Sequence, residues 1–171
     1  EGLANLAQAI TSPGDIILSP NPSYPIHPYG FIIAGASLRH LPAMDEGIFK
    51  PDLYLERLER SIIESVPAPV AVIVSFPSNP TAQVVSLEFY EEVVKIARKY
   101  NVYILSDLAY AEIYYDNSPP PSILQIPKAK EVAVEFTSMS KTYAMAGWRI
   151  GFAVGNKTLI NALTRIKSYL D

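Results

Sequence analysis

The chain has 171 residues, 49% of them apolar and 18% charged, and a net charge of −3. That is enough apolar chain for one packed domain and excludes an intrinsically disordered segment, while the slightly acidic balance gives no electrostatic reason to expect nucleic acid or an anionic membrane as a partner. Cysteine is absent, which excludes disulfides, thiolate chemistry and cysteine metal sites and fits a reducing, cytoplasmic compartment.

The opening residues Glu1-Gly2-Leu3-Ala4-Asn5 carry neither an initiator methionine nor the basic stretch of a signal peptide, and they read as the interior of a helix. A fragment of a longer protein is therefore expected. Asp15-Ile16-Ile17-Leu18 is the first candidate strand, and Pro20, Pro22, Pro25 and Pro28 mark a rigid loop after it. Asp52 is placed to cap a helix whose buried side is Leu53, Leu55, Leu58, Ile62 and Ile63. Val70–Val74 is a short apolar run suited to a strand covered on both faces.

Ser86 is placed to cap a second helix over Leu87–Tyr100, with Phe89, Val93, Val94, Ile96 and Ala97 as its stripe. Val102–Leu105 and Val132–Phe136 repeat the buried-strand pattern, with an exposed turn at Pro119-Pro120-Pro121 between them. Ile150–Val154 is a further strand, and Lys157–Tyr169 an amphipathic helix that becomes basic toward its end. Strands alternating with helices imply βαβ units and an α/β fold, a mostly parallel sheet flanked by helices. No linker divides residues 1–171, so a single domain is expected, and no apolar run reaches the roughly 18 residues of a membrane span.

In open α/β sheets, ligands bind beyond the carboxyl ends of the strands. Four such places hold polar groups. Asn79, in Ser78-Asn79-Pro80-Thr81, is either part of a turn that stops its strand or a ligand-facing amide. Asp107, in Asp107-Leu108-Ala109-Tyr110, is either a cap or a carboxylate awaiting a cationic partner. Lys141, in Ser138-Met139-Ser140-Lys141, is either an exposed turn lysine or an amine nucleophile kept out of water. Arg149, in Gly147-Trp148-Arg149-Ile150-Gly151, needs an anion, either a neighbouring acid or a phosphate. His27 and His40 have no metal-ligand partner at usable spacing and read as structural; no metal site is expected.

Together these four motifs, in this order and spacing, resemble the signature of class I/II aminotransferases, enzymes of pyridoxal-5′-phosphate fold type I, over essentially the whole chain. The resemblance implies that Lys141 attaches covalently to the cofactor and then serves as general base and acid. It implies that Asp107 pairs with the pyridine nitrogen and that Asn79 and Tyr110 hydrogen-bond the phenolic oxygen. Arg149, Ser138 and Ser140 would hold the phosphate, and Tyr24 would stack on the ring; a loop aromatic covering the core is the other reading of Tyr24.

The stretch Ser138–Phe152, with Leu163–Asp171, is most similar to bacterial alanine-forming (glutamate–pyruvate) transaminases, with LL-diaminopimelate aminotransferases next. The resemblance further implies amino acid and 2-oxo acid substrates and a homodimeric parent. On this reading the chain is the large cofactor-binding domain, without an upstream phosphate-binding turn and a C-terminal small domain. Carbon–sulfur β-lyases and aminocyclopropane-carboxylate synthases share the core, so a change of reaction on the same cofactor is the first rival. A sensor module of a transcription regulator is the second, though no winged-helix segment or basic face accompanies this chain. A fragment without activity is the third.

Overall fold

A computed structural model describes residues 1–170. In chain order the first half holds helix α1 (Gly2–Ile10), strand β1 (Ile16–Asn21), helix α2 (Ile26–Ile33), strand β2 (Ser37–Pro42), the short strands β3 (Met44–Asp45) and β4 (Ile48–Phe49), and helix α3 (Pro51–Ile63). The second half holds β5 (Ala71–Ser75), α4 (Leu87–Tyr100), β6 (Tyr103–Asp107), β7 (Ala133–Ser138), the single-turn helix α5 (Met139–Thr142), β8 (Gly151–Gly155) and α6 (Lys157–Leu170).

Six strands form one sheet in the order β2-β1-β5-β6-β7-β8. All neighbours run parallel except β7 and β8, which are antiparallel, with Ser138 opposite Gly151. The central strands are apolar at successive positions because both faces are covered. Leu18, Val74 and Ile104 pack under Tyr54, Leu58, Phe89 and Val93 of α3 and α4. Ile17, Ile73 and Leu105 pack with Leu3 and Leu6 of α1, Phe31 of α2 and Leu159 of α6 on the opposite face. The expected α/β sandwich is the observed one.

Local chemistry sets several boundaries. Ser86 caps α4, its Oγ accepting from the Phe89 N–H at 3.3 Å, and Asn101 ends that helix in the left-handed region at φ 55°. Asp52 does not cap α3: Lys50 is the N-cap and Pro51 occupies the first helical position. Proline fits there because its missing N–H has no intrahelical partner to lose, which pushes Asp52 into the first turn, where its charge meets the helix dipole.

The proline-rich loop is shorter than expected, because Pro20 lies within β1 and Pro28 within α2. Pro20 falls past Ile17 and Leu18, the stretch of β1 registered with β5, and Pro28 sits in a first helical turn, where a donor is dispensable. Strand β2 gave no apolar run. It is an edge strand with Ser37 and His40 exposed and Arg39 half-buried.

Candidate active site

Strands β5, β6 and β7 end side by side. Ser75 is registered with Asp107, and Asp107 with Phe136. A cavity of about 540 Å3 opens at these ends, a size suited to a small-molecule or cofactor site. Tyr24 reaches it from the turn after β1, Asn79 from the turn after β5, and Asp107 and Tyr110 from the end of β6. Ser138, Ser140 and Lys141 reach it from the end of β7 and from α5, and Arg149 from the approach to β8. All eight side chains picked out in the sequence therefore line one cavity.

Asp107 is divided between two tasks. Its Oδ1 accepts from the Ala109 N–H at 3.2 Å, closing a local turn, and its Oδ2 lies 2.8 Å from Nε2 of His27. The His27 ring is fully buried in α2, while the Asp107 side chain retains 21% of its exposure. The other reading of Asp107, as a cap, thus describes one oxygen, and the other oxygen has a histidine partner. His27 was read as a structural residue. It is a direct neighbour of the site, and it also meets Tyr24 edge to face, with ring centroids 6.1 Å apart.

The Asn79 amide donates to the Tyr110 hydroxyl at 3.3 Å. The Lys141 ammonium stands 5.9 Å from the centre of the Tyr110 ring, within cation–π range. Lys141 is exposed, so the shelter from water expected around it is not made by the described residues. Ser138 caps α5 by accepting from the Ser140 N–H at 3.2 Å.

Arg149 donates from Nη1 to the Ala146 carbonyl at 3.0 Å, and its backbone is left-handed at φ 55°. Ala144, in the same connection, is also left-handed at φ 52°. Non-glycine residues in that region each cost about 1–3 kcal/mol and cluster at functional sites. Gly151 has a separate reason to be glycine: a Cβ there would lie 2.7 Å from the Thr137 carbonyl oxygen, so β7 and β8 could not approach as they do.

Two further charges line the cavity, Glu1 and Lys167. Lys167 Nζ donates to Glu1 Oε1 at 2.7 Å, across the contact between α6 and α1. The Glu1 carboxyl is held below its usual range, first by the hydrogen bond and charge of Lys167 and, to a lesser degree, by the charge of Arg149. Neither residue belongs to a sequence motif. Their ends of the chain meet only through helix packing, and no local motif marks them.

A lysine, a histidine-held carboxylate and an arginine thus converge on the carboxyl ends of a mostly parallel sheet. The chain belongs to the aminotransferase class I and II family, whose model matches residues 1–170. It is 58% identical over its whole length to the putative aminotransferase AatC of Rhizobium meliloti (strain 1021), covering 41% of that protein. It is also 58% identical to the glutamate-pyruvate aminotransferase AlaC of Escherichia coli (strain K12), covering 40% of it, again with the whole chain matched.

An LL-diaminopimelate aminotransferase of Aquifex aeolicus (strain VF5) is 48% identical over the whole chain, which covers 43% of it. Among solved structures, the aspartate aminotransferase from Thermus thermophilus with maleate superposes with a TM-score of 0.85 at 31% identity, over 98% of this chain and 42% of that one. The chain thus spans about two fifths of the length of the relatives it matches. Its fold is the mostly parallel, helix-flanked architecture of fold type I, as the sequence motifs implied.

Proposed function

We propose that residues 1–171 are the large, cofactor-binding domain of an aminotransferase that moves an amino group between an amino acid and a 2-oxo acid, with glutamate, pyruvate and alanine as the exchanged set. The observation that carries this reading is the convergence of Lys141, Asp107 and Arg149 on one cavity. The 58% identity to a glutamate-pyruvate aminotransferase supports the substrate set. The 48% identity to an LL-diaminopimelate aminotransferase supports a second reading, in which that diamino acid is the donor.

The donor set fits pyridoxal 5′-phosphate. Ser138, Ser140 and Arg149 offer hydroxyls and a guanidinium fork to a phosphate. Asp107 would pair with the ring nitrogen, Asn79 and Tyr110 would hydrogen-bond the phenolic oxygen, and Tyr24 would cover the ring. When bound, the cofactor supplies an electron sink for the charge that develops at the substrate Cα. Lys141 Nζ would hold the cofactor and would serve as the general base for the proton at the substrate Cα. Asp107, oriented by His27, would favour a proton on the ring nitrogen. In this reading the enzyme is a cytoplasmic homodimer, and residues outside this chain complete the substrate site.

Cofactor trapping tests the proposal. The chain is incubated with pyridoxal phosphate, reduced with borohydride and digested, and the modified peptide is located by mass spectrometry. Label confined to Lys141 is the expected result, and an equal adduct in Lys141→Ala would overturn the assignment. In the full-length parent, a half-reaction that yields a 2-oxo acid and pyridoxamine phosphate identifies transfer. Release of pyruvate and sulfide from a cysteine conjugate would identify a lyase instead.

A further inference from the structure

Among the described residues, five charged side chains line the cavity: Glu1, Asp107, Lys141, Arg149 and Lys167. Asp107 is engaged by His27. Among the described residues, that leaves Glu1 as the other acid of the cavity that Arg149 lines. A carboxylate is the ordinary bidentate partner of an arginine and offers it the same oxygens in the same fork as a phosphate does. An acid that lines the same cavity as Arg149 is therefore a built-in rival of any incoming phosphate. In the structure Glu1 is instead bonded to Lys167 at 2.7 Å, and the Arg149 side chain donates to the Ala146 carbonyl.

We propose that Lys167 is a positioning residue for the anion end of the cavity: it holds the Glu1 carboxylate away from Arg149, so that the guanidinium stays open to the phosphate of the cofactor. The inference rests on the cofactor reading given above and adds a role for two residues outside its motifs. The pair is fixed by packing. Glu1 is the N-cap of α1, Lys167 lies in the last turn of α6, and the two helices lie against each other. Half of the Glu1 side chain and about a third of that of Lys167 remain exposed, so the pair is screened and its effect modest.

The test compares affinities of the chain for pyridoxal 5′-phosphate and for pyridoxal, which lacks the phosphate, by fluorescence titration. Their ratio isolates the anion end. Lys167→Met is expected to weaken the phosphorylated ligand about fivefold, the size of a partly exposed charge pair, with pyridoxal unchanged. Lys167→Arg keeps the pairing and is expected to match the parent chain.

Glu1→Gln in the Lys167→Met background removes the rival and is expected to restore affinity. Glu1→Gln alone is expected to change little, whereas a simple gain of positive charge would tighten binding. Thermal midpoints show that each variant is folded. Equal loss of both ligands in Lys167→Met, or no rescue by the second substitution, would overturn the proposal. A parent chain that binds pyridoxal phosphate no better than pyridoxal would overturn the cofactor reading itself, and this inference with it.

Discussion

Nε2 of His27 lies 2.8 Å from Oδ2 of Asp107, while Nδ1 of the same buried ring has no hydrogen-bond partner among the described residues. The imidazole is therefore committed to one contact, and that contact aims a carboxylate into the cavity. His27→Phe keeps a ring of similar bulk and leaves Oδ2 without its partner. The expected cost is about 1–2 kcal/mol in urea unfolding, since removal of one member strands the other. Asp107→Asn keeps an oxygen for the Ala109 N–H and is expected to unfold near the parent midpoint. On the proposed cofactor reading it should nevertheless lose about tenfold or more in affinity for both pyridoxal phosphate and pyridoxal, because the charge-assisted bond to the ring nitrogen would be gone. Equal affinity in Asp107→Asn would exclude that pairing.

Glu135 gives a pH signature. It is buried at the middle of β7 and accepts from Ser122 Oγ at 2.5 Å, the Ile123 N–H at 3.1 Å and Ser106 Oγ at 3.2 Å. Burial nonetheless raises its carboxyl above the ordinary value of 4.5, against those three donors. A folded value above the unfolded one means that the stability Glu135 contributes is full below pH 4.5 and is lost as pH rises through the folded value. The stability of the parent chain minus that of Glu135→Gln should therefore fall as pH is raised from 4.5. Urea midpoints taken at several pH values measure it, and a flat or rising difference would contradict the burial argument.

Gly155 ends β8 at φ 146°, and a Cβ built on it would lie 2.2 Å from the Ala133 carbonyl oxygen and 2.8 Å from the Val134 Cα. Both neighbours are backbone and cannot turn aside. Gly155→Ala is expected to cost about 3 kcal/mol or more in stability, from strain and overpacking together. Denaturant unfolding checks it, and a loss under 1 kcal/mol (roughly the cost of a simple backbone entropy change) would mean that β8 shifts freely.

Tyr54 is buried among Phe49, Phe76 and Phe89, and its hydroxyl has no hydrogen-bond partner among the described residues. The desolvated phenol is held neutral, its pKa pushed well above the usual value by burial. Tyr54→Phe deletes an unsatisfied polar atom without changing the ring. It is expected to be neutral or stabilising by about 1 kcal/mol in thermal unfolding. A clear destabilisation would mean that the hydroxyl has a bonded partner after all.

The central strands were legible because burial on both faces writes an unbroken apolar run, as at Val70–Val74 and Val102–Leu105. The cap of α4 was legible because Ser86 has a local job. The edge strand β2 was not, because an exposed strand with Arg39 and His40 carries no such run. Nor was the direction of β8, since a pattern of side chains marks a strand but not its sense. At the site, seven of the eight side chains lie in the local motifs that carry the family resemblance, and Tyr24 follows from the resemblance alone. His27, Glu1 and Lys167 were missed because each owes its place to a partner far away in the chain: His27 and Asp107 are 80 residues apart, and Lys167 and Glu1 are 166 apart.

The reversal at β8 divides the site into near and distant kinship. Lys141 and Arg149 belong to one short connection that leaves β7 and turns back alongside it, whereas Asp107 arrives through the pairing of β6 with β7. Closing a short span costs a folding chain little, and bringing distant strands together costs more and takes longer. In a refolding chain the basic half of the cavity therefore assembles early, and the acidic half waits for the sheet. The moment at which Asp107 first joins Lys141 and Arg149 in the cavity would then serve as a clock for the docking of β6.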